Sequence, residues 1–346
     1  MNKVKRKYDF QSLALQYGFN RSDIEKTCRI SDILEDISTV KFLSDRLSLY
    51  GGTAFTFIYS PEILRLSIDL DLNYRHKNTA DWGEIRREID KRLKDILYKQ
   101  GYEKENIAIS ASYPLTRFTV KYLNDESAED TCKIEIGYMR RTPILKTDTQ
   151  AEFRHIGTQE TFKTTTPEKE ELFANKFCAM LYRKTARDVF DIHRITDIKF
   201  DESKFRKCAI IDSLTRKRPK LYEINPDSIS TNPLDSSLKN LLQTEKLQHF
   251  NFNEITRKVT SFTRTQLENI TVDEKKMIDQ FWEQKTYKPE LIDPDGIFHK
   301  NIAEYPAALW ALEKLASERK QLQLNEAKRF GKKTKYTKKK LMRRNK

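Results

Sequence analysis

Asp69 and Asp71 stand one residue apart in Arg65-Leu-Ser-Ile-Asp-Leu-Asp-Leu-Asn73. On a strand, alternate side chains share a face, so Ser67, Asp69, Asp71 and Asn73 lie together and Ile68, Leu70 and Leu72 lie opposite. Two carboxylates about 7 Å apart on one face repel each other and call for a cation. Magnesium, which takes carboxylate and substrate phosphate oxygens together, suits them. Calcium is the poorer alternative, because its sites draw more oxygen ligands from a flexible loop.

Upstream, Gly51-Gly52-Thr53 reads as a tight turn opening a short helix. Such a turn presents backbone N–H groups to anionic phosphate. Glu135, on a second alternating segment, is placed to add a third carboxylate as a metal ligand; the alternative is a surface residue paired with Lys133. Two-metal phosphoryl or nucleotidyl transfer needs such a set. Lys176 has apolar neighbours at helical spacing, Leu172, Phe173, Ala179 and Met180. Removing its ammonium from water is costly unless an anion receives it, which fits a phosphate-filled cleft; the alternative is snorkelling along an apolar edge. Arg187 and Asp191 are spaced to pair on one helix, leaving Asp188 to face the acceptor side of the cleft.

These residues need elements to hold them. Residues 9–44 read as mainly helical. Arg46–Tyr50 reads as a strand, Thr53–Tyr59 as a short helix stopped by Ser60-Pro61, and 66–73 as the acidic strand. Trp82–Gln100 is an amphipathic helix with Ile85, Ile89, Leu93, Ile96 and Leu97 on its stripe. Arg117–Tyr122 and Cys132–Tyr138 alternate as an antiparallel pair with Ile134, Ile136 and Tyr138 packed inward. A helix starts at Thr166-Pro167, with threonine as cap. Arg216–Asn232 resembles a linker, and 235–327 is mostly helical. The organisation is α+β: a mixed first half (1–195), a mainly helical part (196–327), and a basic tail (328–346).

The formal charge is +14, and the last 19 residues hold 11 Lys or Arg and no acid. That tail is either a cationic arm for nucleic acid, with Phe330 and Tyr336 able to stack on bases, or a disordered solubilising segment. Cys28, Cys132, Cys178 and Cys208 show no metal-ligand spacing and read as buried. No apolar run is long enough for a membrane span, and no signal-type stretch follows the basic N-terminus, so the cytoplasm is expected. His76 and His155 are expected at the surface, His193 packed or capping, and Trp82, Trp282 and Trp310 in the core.

In combination, Gly51-Gly52-Thr53-Ala54, Arg65-Leu-Ser67-Ile-Asp69-Leu-Asp71, Lys176 and Arg187-Asp188-Val-Phe-Asp191 resemble the AbiEii/AbiGii nucleotidyltransferase toxins of the polymerase-β-like superfamily. Tyr305–Trp310 is similar to that family's C-terminal helical part. The resemblance implies a nucleotidyltransferase core followed by helices, and a toxin–antitoxin or phage-defence role with a cognate antitoxin. It implies transfer of a nucleotide from an NTP to an acceptor such as a tRNA 3′ end. It makes Asp69, Asp71, Lys176 and Asp188 catalytic, with Mg²⁺ on Asp69 and Asp71. Lys176 would contact the NTP phosphates, Gly51, Gly52 and Thr53 would seat the triphosphate, and Ser67 is counted with them as a motif member. Transfer to a protein hydroxyl, or noncatalytic RNA binding, are the alternatives.

Overall fold

The computed structural model describes residues 6–76, 82–229, 236–244 and 250–317. One mixed sheet is built from β1 (Leu47–Leu49), β2 (Asp69–Tyr74), β3 (Ile107–Ser112), β4 (Leu115–Leu123) and β5 (Glu129–Gly137), ordered β1-β2-β5-β4-β3. β2 runs parallel to β5, and every other neighbouring pair is antiparallel. The register puts Asp69 beside Lys133, Asp71 beside Glu135, and Glu135 beside Arg117. On the opposite face Leu70, Leu72, Ile134, Ile136, Phe118 and Val120 are buried.

Helices α1 (Phe10–Tyr17), α2 (Arg21–Thr39) and α3 (Lys41–Ser44) precede the sheet. Helix α4 (Gly51–Ala54) follows β1 and α5 (Trp82–Lys99) follows β2. The stripe of α2 (Ile30, Ile33, Leu34, Ile37) and that of α5 (Ile89, Leu93, Ile96, Leu97) join the sheet's apolar face in one core. A hairpin of β6 (Thr149–Arg154) and β7 (Thr161–Thr166) packs on β1 and leads into α6 (Lys169–Arg183), α7 (Ala186–Ile195) and α8 (Glu202–Ser213). Helices Phe252–Glu268 and Val272–Gln284 and a helical stretch at 306–317 complete the described chain.

Several local expectations change. Strands β3 and β7 arise from Ala/Ser- and Thr-rich segments, and β6 from a mainly polar one, none with a strong alternation of apolar residues. Thr166 does not cap a helix: it ends β7, its hydroxyl donates to the Leu49 carbonyl at 2.9 Å, and α6 starts at Lys169. The acidic strand starts at Asp69 rather than 66. Within the linker-like stretch, buried Lys220 donates at 2.7 Å to Asp279 on the later helix Val272–Gln284, so the stretch is tied to the helical part. Trp282 is buried and Trp310 half-buried. The basic tail 328–346 and the Trp82 side chain lie outside the described residues. All four cysteines are buried and free. No helix among the described residues is long and apolar enough to cross a membrane.

Candidate active site

Strand β1 ends where the Tyr50 N–H donates to the Asp71 carbonyl at 2.8 Å, and the chain then bends through Gly51 at φ +72°. That conformation and the space around it both require glycine. A Cβ on Gly51 would lie 2.1 Å from Asp71 Oδ2, and one on Gly52 would lie 2.6 Å from Ser67 Oγ. The turn therefore rests directly on the acidic face of β2. Helix α4 runs on as a π-helical segment, Phe55–Tyr59, until Ser60 turns extended before Pro61. No side chain caps the α4 N-terminus, so its first-turn N–H groups have no intrahelical partner and favour an anion. The Thr53 hydroxyl faces inward, donating to the Asp69 carbonyl at 2.5 Å and lying 3.0 Å from Ser67 Oγ. Thr53 and Ser67 thus fasten turn to strand, and the buried Thr53 hydroxyl is committed to that contact.

Asp69 and Asp71 share a half-buried face. The Asp71 carboxyl is pushed up to about 6, first by burial and then by the charge of Asp69; Lys176 offsets this in part, Glu135 adds to it and Arg183 opposes it. Two carboxylates whose repulsion Lys176 and Arg183 relieve only in part fit a hard divalent cation. Glu135 lies beside Asp71 as expected, but its partner is Arg117 (Nε to Oε1, 2.7 Å) on β4, not Lys133. Among the described residues, the one trio of acid, His or Cys groups with ligand atoms within 4.8 Å of one another is Asp32, Glu35 and His155. Asp69, Asp71 and Glu135 are spread more widely, with Glu135 drawn toward Arg117.

The Asp32 trio does not fit a metal. His155, expected at the surface, is buried. Its Nδ1 accepts from the Gly157 and Thr158 N–H groups, so Nε2 carries the proton and donates to Asp32 at 3.2 Å. The Arg6 guanidinium already bridges Asp32 and Glu35. The cluster ties the N-terminal segment to α2 and the β6–β7 turn. A cavity of about 420 Å³ bordered by Tyr17, Pro61, Leu64, Arg154 and Gln243 contains none of the site residues.

Lys176 is buried, and its anion is a protein carboxylate: Nζ donates to Asp191 Oδ2 at 2.7 Å. Arg65 grips the same carboxylate with Nε and Nη2, each at 2.6 Å. Burial alone would raise the Asp191 carboxyl, but Arg65 and Lys176 hold it down at about 2. The expected Arg187–Asp191 pair is therefore replaced, because the fold brings a doubly donating guanidinium from 126 residues away. Two cations share one carboxylate, so the cluster keeps an unbalanced positive charge next to the acidic pair. Asp188 is buried and held by Arg183 (2.6 Å) and the Thr185 hydroxyl (2.7 Å).

Arg65, Arg183 and Asp191 thus belong to the site although their roles had no local signal. So does Glu171, buried at the start of α6. It accepts from the Tyr50 hydroxyl, from the N–H groups of Ile144 (2.8 Å) and Leu145 (3.1 Å), and from Arg75. Burial raises its carboxyl despite Arg75. Tyr50 immediately precedes the glycine turn, so this network couples the turn to the helix carrying Lys176.

The family model of the nucleotidyl transferase AbiEii toxin of type IV toxin–antitoxin systems matches residues 32–279. No curated protein matches at the sequence level. Among solved structures, the nucleotidyltransferase toxin MenT4 from Mycobacterium tuberculosis is similar in fold, with a TM-score of 0.60 at 16% identity over 83% of this chain and 98% of that one. A nucleotidyltransferase-like antigenic protein from Paracoccidioides brasiliensis also matches, at a TM-score of 0.29 and 14% identity over 48% of this chain and 76% of that one. With the family model covering most of its length, the chain belongs to the AbiEii family of nucleotidyltransferase toxins of type IV toxin–antitoxin systems.

Proposed function

We propose that this nucleotidyltransferase uses Mg²⁺ and transfers a nucleotide from an NTP to RNA, with a tRNA 3′ end as acceptor, in the cytoplasm, and that a cognate antitoxin counters it in phage defence. The observation that carries the reading is the acidic pair of β2 lying under Gly51, with the Asp71 carboxyl pushed up to about 6. Asp69 and Asp71 would hold the divalent ion, and Glu135 would join them on leaving Arg117. Bound there, it supplies a lowered pKa for the attacking hydroxyl and charge neutralisation for the triphosphate. The protein's own groups do the rest. First-turn N–H groups of Gly51, Gly52 and Thr53 seat phosphate oxygens. Lys176, carrying the excess charge of its cluster, faces the same phosphates. Asp188 orients Arg183 toward the acidic pair. The run of 11 basic residues at 328–346 favours RNA over protein as acceptor.

The test is transfer of label from α-labelled NTP into total RNA or into protein. Asp69→Ala and Asp71→Ala should each abolish labelling of RNA while the chain keeps its thermal transition. Retained transfer in either variant removes the assignment, and label entering protein instead of RNA removes the acceptor.

A further inference from the structure

The acidic face of β2 continues across the sheet. Its row runs from Asp71 to Glu135 on β5, Arg117 on β4 and Ser110 on β3; the row beside it runs from Asp69 to Lys133, Thr119 and Ala108. One step along, Thr131 faces Lys121. Helix α4 covers the β2 end of this face, whereas Lys133, Lys121, Arg117 and Ser110 are exposed. The opposite face is the one buried under α2 and α5. A sheet open on one side is common, but here the open side begins at the acidic pair.

Its lysines are also not used internally. Among the described residues neither Lys121 nor Lys133 has a hydrogen-bonded or ion-paired partner, and neither belongs to the core. Neighbouring strands are about 4.8 Å apart and alternate residues about 6.6 Å, so the Lys133 backbone is about 5 Å from that of Asp69 and the Lys121 backbone about 12 Å. Thr119 and Thr131 fill the positions between. Beyond the reacting pair, whose Asp69 is the cross-strand neighbour of Lys133, the acid within this span is Glu135, already paired with Arg117; Glu129 stands at the far end, about 20 Å from Glu135.

We infer that the open face of β5 and β4 is the track on which the acceptor RNA lies, with Lys133 and Lys121 on its phosphates and its terminal hydroxyl at Asp69 and Asp71. This rests on the RNA reading above and adds the surface that serves it. Two lysines spaced along a strand match successive charges of a backbone leading away from the reacting end, whereas a small substrate would end at the acidic pair.

The experiment compares the full-length protein with Lys121→Ala/Lys133→Ala and with Lys275→Ala/Lys276→Ala, an equal charge change on an exposed helix elsewhere. Binding of a fluorescent single-stranded RNA with a free 3′ end is measured from 50 to 300 mM salt. Removing two phosphate contacts should make the slope of log K against log salt about 1.4 less negative. The KM for RNA should rise several-fold while the KM for NTP stays in place. The Lys275/Lys276 variant should keep the wild-type slope. If wild type binds RNA in a salt-sensitive way and the Lys121/Lys133 variant keeps its slope, the track is refuted and the RNA reading survives. If wild type shows no salt-sensitive RNA binding, both fall.

Discussion

Replacing Asp71 by asparagine should stabilise the metal-free protein while ending catalysis. In the native state its carboxyl is pushed from 3.8 up to about 6, by burial first and Asp69 second. At about 1.4 kcal/mol per pH unit this bounds the cost of ionising it at about 3 kcal/mol. Solvent screening of a half-buried group brings the expected gain down to about 1–2 kcal/mol. The sign follows from proton uptake. Between about 6 and 3.8 the native state holds a proton that the unfolded chain does not, so this group makes wild type less stable as pH rises through that window. Its full cost is present above about pH 6 and fades as pH falls below it. Urea unfolding in EDTA at pH 8, 7, 6 and 5 measures this directly. Asp71→Asn should exceed wild type at pH 7 and 8, and the gap should shrink at pH 6 and below. Millimolar Mg²⁺ should then stabilise wild type, by mass action, and leave the variant unmoved. A variant less stable than wild type at pH 8, or a gap indifferent to pH, would refute the account of the acidic pair.

Asp191→Ala leaves Arg65 and Lys176 buried without their shared anion, and should cost about 3–5 kcal/mol, read by denaturant midpoint; a loss under 1 kcal/mol contradicts the triad. Gly51→Ala places a methyl 2.1 Å from Asp71 Oδ2 at a φ of +72° and should abolish transfer as well as destabilise. Gly18→Ala, at a φ of +69° with nothing within 4 Å of the added methyl, should cost only about 1 kcal/mol and leave transfer intact.

What the chain discloses locally is what is periodic. The Asp-Leu-Asp-Leu-Asn run puts its leucines in the core and its acids on the shared face, because the pleat admits no other division. The α2 and α5 stripes follow the same logic, and the apolar surroundings of Lys176 do mark a buried ammonium. The missing parts depend on partners far along the sequence. Nothing near Asp191 announces Arg65, and the arginines at helical spacing from it, Arg187 and Arg194, are not the ones that grip it. His155 sits in a polar stretch, yet accepts two N–H bonds from its own turn and is covered by Tyr8 and α2. Edge strand β3 escapes notice since its Ser and Ala residues are mostly exposed and carry little pattern. The parallel pairing of β2 with β5, which brings Glu135 to Asp71, spans a helix and two further strands.

Because Lys176 already rests on a carboxylate that Arg65 also holds, a triphosphate arriving there would meet a cation whose field is partly satisfied. Under the proposed function, ground-state attraction would thereby be blunted, and the ammonium would keep its place whether or not nucleotide is present. An enzyme so arranged would release its spent pyrophosphate from a seat that does not collapse, ready for the next encounter without rebuilding.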